Sequence, residues 1–270
     1  MLETEIMAYY RRGGERTRLA AGDGLLESLR TRDVLARVLP PAPATILDVG
    51  GATGGYAGWL TGEGYRVHVV DPVADHVREA AELPGVEASV GDARNLDRAD
   101  GSADAVLLLG PLYHLQDRAD RVRAWQEAGR VVRPGGPVVA ATINRFASLW
   151  DGFVKDFFAE PAYRPMVERT LTDGQHRNLD GSRNWFTTAY FHHPGELAGE
   201  VTDAGLTWER TVSVEGPVWM LGDRLADRLA DPDRTELLLD MLRRVEDEPS
   251  LLGSSSHLLT VARGPVPVDA

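Results

Sequence analysis

The 270-residue chain contains no cysteine. That absence excludes disulfide frameworks, thiolate metal sites, thiol nucleophiles and thiol redox chemistry together, and it fits a reducing compartment. Lysine is nearly as scarce, since Lys155 is the one ammonium side chain, so chemistry that needs a lysine has a single candidate. Positive charge is short overall: 29 Lys+Arg stand against 41 Asp+Glu, a formal charge of −12. A surface that acidic repels phosphate backbones and anionic lipid, so neither nucleic acid nor a membrane is expected as a partner. No apolar run reaches the roughly 18 residues of a membrane helix. Met1–Tyr10 has no basic end followed by an apolar stretch, so no secretory leader is expected. These absences describe a soluble, cytoplasmic chain. At 43% hydrophobic and 26% charged it can bury a core, which removes the disordered and fibrous classes.

What is present alternates. From Asp23 to Leu39 the residues Leu25, Leu29, Ala36 and Leu39 keep a helical period, and Pro40-Pro41-Ala42-Pro43 stops it. Short apolar strands follow at Thr45–Val49, Tyr65–Val70, Val86–Val90, Ala103–Leu109 and Val138–Ile143. Helices separate them at Tyr56–Gly62 and Val73–Leu83, and a third has Ala119, Val122, Trp125, Gly129 and Val132 on one face. This is the rhythm of βαβ crossovers around a buried parallel sheet. It breaks at Arg145, where an aromatic-rich stretch to Ala189 reads as helices plus loop. Pro194–Ala204 then reads as a helix, Leu206–Val214 and His257–Ala262 as strands, with Leu238, Met241, Leu242 and Val245 marking an amphipathic helix between them. We expect one domain: a helical cap over 1–43, a core over 44–144, a substrate-side insertion over 145–193, and remaining helices and strands over 194–270. Ligands of such sheets sit at the carboxyl ends of the strands, where strand order reverses. Cap and insertion are both placed to roof that edge.

The strongest local signal is Ile46-Leu-Asp-Val-Gly-Gly-Ala-Thr-Gly-Gly55, a strand running into a glycine turn and a helix. Glycines permit positive φ and let a ligand approach the backbone. Asp71 ends the next strand, 21 residues after Gly50. A carboxylate there accepts both hydroxyls of a ribose; the alternative is a helix-capping Asp before Pro72. A nicotinamide dinucleotide is the rival ligand, since Gly51-Ala-Thr-Gly54 is similar to the turn of nicotinamide-dependent reductases. Asp48 opposes it, because a carboxylate just before the glycines repels a pyrophosphate. No tyrosine is followed four residues later by a lysine either, the pair short-chain dehydrogenases need.

With these motifs the chain resembles class I S-adenosylmethionine (SAM) dependent methyltransferases, in the small-molecule branch similar to quinone-biosynthesis methyltransferases. The likeness covers about Tyr9 to Ile143. It rests on Leu47-Asp-Val-Gly-Gly-Ala-Thr-Gly, Val70-Asp71, Gly91-Asp92-Ala93, Asp104-Ala-Val-Leu-Leu-Leu-Gly-Pro-Leu-Tyr-His-Leu115 and Arg130-Val-Val-Arg-Pro-Gly-Gly136. Ala52 departs from the pattern, which has glycine there. The resemblance implies an α/β, Rossmann-like doubly wound sheet of seven strands, mostly parallel with the last antiparallel. It implies that Asp48, Gly50 and Gly51 face the methionine part of SAM and that Asp71 takes the ribose hydroxyls, with Pro72 beside the adenine. Asp92 would accept from the adenine amino group, with Ala93 adjacent, and Gly110 would complete the amino-group site. For Asp92 the alternative is a turn-capping role.

Arg32 is a separate inference. Leu25, Leu29, Arg32, Ala36 and Leu39 step by 4, 3, 4 and 3, which puts Arg32 on the apolar stripe. An inward charge needs a partner, and a guanidinium suits the SAM carboxylate; the alternative is a packed stem whose head reaches water. Tyr10, with Tyr9, is read as a lid over the cofactor.

Methyl transfer needs alignment and, for some acceptors, a base. His114 is the first candidate base or orienter, with Tyr113 beside it as an acceptor contact; the bland alternative is a pocket wall. His192 is a second catalytic candidate from the insertion side. Arg145, Trp185, Tyr190 and His193 are read as substrate-side residues, although His193 also suits a helix cap. No metal is expected, since Gly110-Pro111 stands where a metal-binding carboxylate would follow the fourth strand, and no His-Glu-x-x-His run occurs. The expected function is SAM-dependent methylation of an oxygen or nitrogen, ahead of carbon, in a small metabolite. The arginine-rich composition points to a bacterial secondary-metabolite setting. A nicotinamide-dependent reductase and a catalytically silent SAM-binding module stay as alternatives. The sequence sets no oligomeric state.

Overall fold

In the computed structural model, residues 6, 9–10, 19, 22–179, 182 and 185–266 are described. Helix α1 (Gly22–Val38) leads into strand β1 (Thr45–Val49). Helices α2 (Gly55–Gly62) and α3 (Ala74–Ala80) flank β2 (Arg66–Asp71) and precede β3 (Val86–Val90), and α4 (Arg118–Val131) joins β4 (Ala105–Leu108) to β5 (Pro137–Ile143). These are the elements the apolar periodicity marks, with Thr45–Val49 and Val86–Val90 unchanged and other ends displaced by at most three residues. The order in the sheet is β3-β2-β1-β4-β5-β9-β8, where β8 is Thr207–Ser213 and β9 is His257–Arg263. Strands β1 to β5 pair in parallel, and β9 runs antiparallel to both β5 and β8. The expected Rossmann-like doubly wound sheet, with its last strand reversed, is therefore present. Strand order turns around between β1 and β4, which opens the crevice at their carboxyl ends.

Alternation along β1 sends Ile46 into one apolar layer with Val34, Leu35 and Leu60, and Leu47 into the other with Leu108, Trp125 and Val138. Both faces of the sheet are covered, which explains why its strands read as continuous apolar runs.

Residues 145–193 include α5 (Ala147–Val154), α6 (Tyr163–Asp173) and a two-stranded ladder of β6 (Gln175–His176) with β7 (Ala189–Tyr190). The expected helix over Pro194–Ala204 begins as a 3-10 turn, Pro194–Glu196, before α7 (Leu197–Asp203). Helix α8 (Asp223–Leu229) and helix α9 (Pro232–Arg243) follow β8, and α9 buries Leu239 and Leu242. Leu238 also packs inward, as expected, whereas Met241 and Val245 are exposed and Leu239 takes their place in the stripe. Among the described residues no helix is long and apolar enough to cross a membrane.

The cap helix corrects one expectation. Leu26, Arg30, Val34, Leu35 and Val38 face inward, while Ala36 is exposed and Arg32 half-buried. The inward charge is Arg30, not Arg32. Its guanidinium donates to Glu246 Oε2 at 2.7 Å, Asp33 Oδ2 at 2.6 Å and the Val214 carbonyl at 3.0 Å. Arg37 binds the same Glu246 carboxylate through both terminal nitrogens, at 2.7 Å each, and Arg243 binds Asp33. This network ties α1 to β8 and to the end of α9.

Candidate active site

Two adjoining clefts open at the carboxyl ends of the parallel strands. The first, about 1040 Å³, is built around the glycine turn. Gly50 has φ +72°, and a Cβ there would come within 2.8 Å of Pro111 Cδ, so the β1 and β4 loops close on each other only with glycine at this point. A Cβ on Gly51 would stand 2.5 Å from Asp48 Oδ2, because the Asp48 carboxylate lies under the turn. Ala52 also sits in the left-handed region, φ 48°, where an L side chain is strained by about 1–3 kcal/mol. Its N–H is held by Asp71 Oδ2 at 3.0 Å. Ala52→Gly is therefore expected to stabilise the protein by about 1 kcal/mol, read as a higher urea midpoint with an unchanged slope.

Asp48 is fully buried, and among the described residues neither carboxylate oxygen has a hydrogen-bond partner. Burial, with Asp71 nearby, pushes its pKa up to about 7. A buried acceptor without a donor is costly unless a cation meets it. An ammonium or sulfonium fits this wall, and a pyrophosphate does not.

Asp71 is buried and already engaged: Oδ1 accepts from the Val73 N–H at 2.9 Å and lies 3.2 Å from His76 Nδ1. The side chain thus braces the turn, close to the capping alternative read in the sequence, and it also lines the cleft. Asp92 is gripped by Arg94 through its backbone N–H and its guanidinium, which hold the carboxyl down to about 2. Tyr10, Gly50, Gly51, Pro72, Asp92, Ala93 and Gly110 line the same cleft. Arg32 does not; its guanidinium carbon stands 5.5 Å from the centre of the Trp59 ring. His76 and Arg94 went unread in the sequence, although both follow a motif aspartate by a few residues.

The second cleft, about 1120 Å³, shares Tyr10, Leu109 and Tyr113 with the first. Aromatic rings wall it: Tyr9, Phe157, Tyr163, Trp185, Phe186 and Phe191. Besides tyrosines, its ionisable groups among the described residues are Asp151 paired with Lys155 at 2.8 Å, His176, and Glu27, Glu215 and His257.

The histidines sort clearly. His114 is buried, its Nε2 lies 2.6 Å from Tyr10 Oη, and Phe186 stacks on its ring at 6.0 Å. Burial pushes its pKa down to about 4, so it is neutral at neutral pH and suits orientation better than proton removal. His192 lies outside both clefts. Its backbone pairs with Ile143 and Arg145, which turns the ring toward α7, where Nε2 stands 3.4 Å from Glu200 Oε2. Burial lowers its pKa as well.

Of the substrate-side residues, Tyr113 and Trp185 reach the second cleft. Arg145, Tyr190 and His193 do not. Arg145 donates to the Phe191 carbonyl at 2.7 Å and to Glu196, while Arg121 lies 3.6 Å over the Tyr190 ring. His193 caps the Pro194 turn, accepting from the Gly195 N–H at 3.2 Å. Glu27, Glu215 and His257 were missed, since nothing in their spacing joins them.

Known proteins similar to this chain include methyltransferases. Residues 46–136 match a family described as a methyltransferase domain. An uncharacterized methyltransferase of Mycobacterium tuberculosis is 38% identical over 100 residues, 37% of this chain and 40% of that protein. A ubiquinone biosynthesis O-methyltransferase of Methylocella silvestris is 36% identical over 105 residues, again 37% and 40% of the two chains. The chain thus spans about 40% of the length of these curated relatives. Among solved structures, the Burkholderia thailandensis 1,6-didemethyltoxoflavin-N1-methyltransferase, with 1,6-didemethyltoxoflavin and S-adenosylhomocysteine bound, is similar in fold. Its TM-score is 0.58 at 15% identity, over 96% of this chain and 85% of that one.

Proposed function

We propose that this chain, whose core is that of a class I SAM-dependent methyltransferase, passes the SAM methyl group to an oxygen or nitrogen of a small aromatic metabolite held in the second cleft. SAM brings the activated methyl carbon when bound. The protein aligns the acceptor, excludes water and takes up a proton where the acceptor releases one. The observation that carries the cofactor half is the buried Asp48 carboxylate under the glycine turn, unpaired among the described residues, which calls for a cation. It also disfavours a nicotinamide dinucleotide.

The acceptor half is supported by the walls the two clefts share at Tyr10, Leu109 and Tyr113, since a molecule in the second cleft would adjoin one in the first. Aromatic walls with a cluster of polar groups at Glu27, Glu215 and His257 suit a ring bearing an O–H or N–H. The named relatives point the same way, one being an O-methyltransferase and the other, similar in fold only, an N-methyltransferase of a heterocycle. The −12 charge argues against a nucleic-acid acceptor.

The test is incubation with methyl-labelled SAM and a panel of phenols and aromatic amines, read by mass spectrometry. Gain of one labelled methyl group with release of S-adenosylhomocysteine is expected. Tight SAM binding with no transfer to any acceptor would favour a silent SAM-binding module. Asp71→Ala is expected to weaken SAM binding about 10- to 100-fold, since it orphans the Ala52 and Val73 N–H groups as well as removing the acceptor. Calorimetric titration checks it.

A further inference from the structure

Asp71 ends β2 and α3 begins at Ala74, so His76 returns on the first turn of that helix to face the carboxylate it follows. Both side chains are buried, and both line the first cleft. Three nitrogens of the chain surround the carboxylate. Oδ1 accepts from the Val73 N–H at 2.9 Å and lies 3.2 Å from His76 Nδ1, while Oδ2 accepts from the Ala52 N–H at 3.0 Å. Tyr10 steadies the imidazole from the other side, its ring edge-on to that of His76 with centres 5.5 Å apart.

From this geometry we infer that His76 is a positioning residue for the cofactor's ribose, and that Asp71 meets that sugar through Oδ2 alone, with one hydroxyl. The inference rests on the SAM reading above. A carboxylate accepts without donating, and each of its oxygens has about two acceptor places. Nδ1 beside it therefore carries the proton, and with the Val73 N–H it fills both places on Oδ1. On Oδ2 the Ala52 N–H takes one place and leaves one. A ribose cannot put both hydroxyls on this carboxylate without displacing a bond the chain already makes. That departs from the two-hydroxyl role the family resemblance implies. The imidazole N–H decides which oxygen is left for the sugar, so His76 acts on the ribose through Asp71.

The experiment has two arms. In the first, calorimetry measures S-adenosylhomocysteine and its 2′-deoxy and 3′-deoxy forms on wild type, Asp71→Ala, His76→Phe and His76→Asn. Removing one hydroxyl should cost about 30-fold on wild type and nothing on Asp71→Ala, because that hydroxyl bonds to a charged acceptor. Removing the other should cost the same on both proteins. Dependence of both hydroxyls on Asp71, or of neither, would overturn the single-oxygen contact.

His76→Phe keeps a ring against Tyr10 and lacks the N–H. It should bind S-adenosylhomocysteine about 10-fold more weakly, yet bind the form lacking the Asp71-dependent hydroxyl as wild type does. His76→Asn, which can place an N–H close to the position of Nδ1, should stay within about threefold of wild type. Equal loss on both ligands, or no loss in His76→Phe, would overturn the positioning role.

The second arm needs no ligand: nitrogen-15 NMR of the histidines in the unmodified protein at about pH 9. A proton on Nδ1 of His76 is expected, and a bare Nδ1 would overturn the inference. If wild type does not bind S-adenosylhomocysteine, the cofactor reading fails on its own account, and the state of Nδ1 decides whether His76 holds Asp71.

Discussion

Asp48→Asn should make the ligand-free protein more stable and the SAM complex weaker. The carboxyl has a pKa of 3.8 in its ordinary state and about 7 in the fold, raised by burial and by Asp71. A raised carboxyl is protonated in the folded protein while the unfolded chain is already ionised. Wild-type stability therefore falls as pH rises from about 4 to about 7, and levels off above that. A shift of this size corresponds to roughly 4 kcal/mol. Asparagine carries no such penalty. Denaturation midpoints of wild type and variant should coincide near pH 4 and separate by most of that amount near pH 8, with the variant higher. SAM affinity should move the other way, falling about 100-fold in the variant, because the buried charge that calls for the cofactor's cation is gone. Binding to wild type near pH 6 should release a proton, seen as a buffer-dependent enthalpy. A variant both less stable and unchanged in SAM affinity would contradict this account of the cleft.

Arg30→Leu should be the most damaging change outside the site. The guanidinium is fully buried and bonded to Glu246, Asp33 and the Val214 carbonyl. Its removal leaves Glu246, itself buried, with Arg37 and the distant Arg210 as its cations. Breaking one side of a buried pair costs about 3–5 kcal/mol. Urea denaturation should show that loss, whereas Arg32→Leu should fall within about 0.5 kcal/mol of wild type with unchanged SAM affinity. Equal effects of the two substitutions would contradict the orientation of α1.

The same helix shows where sequence reasoning stops. Steps of 4, 3, 4 and 3 fit Leu25-Leu29-Arg32-Ala36-Leu39, but a neighbouring stripe through Leu26, Arg30, Val34 and Val38 fits nearly as well. Alanine at 36 is too small to decide the phase. The decision comes from Glu246, 216 residues away, which no local pattern reveals. The glycine turn was legible because its signals are local. Asp48, Gly50, Asp71 and Asp92 all sit on strand ends whose register follows from the βαβ rhythm, and these residues share one cleft.

The acceptor side was mostly illegible for the opposite reason. Trp185 and Phe186 enter from the insertion, Glu27 from the cap, and Glu215 and His257 from the last strands. His257 was readable as a strand residue, yet only the reversed direction of β9 turns that into a place at the ligand edge. His192, Arg145 and Tyr190 looked suitable by type and position. Backbone pairing of 143–145 with His192 and the pull of Glu196 and Glu200 direct them into a polar network behind the clefts.

The measurement that tests the central claim most directly is calorimetric titration of the unmodified protein with SAM, S-adenosylhomocysteine and NAD(H) in parallel. The account predicts one site per chain for SAM and for its demethylated product, and no heat from NAD(H). Binding of NAD(H) with none of SAM would contradict it, because the Asp48 carboxylate would then be facing a phosphate instead of a cation.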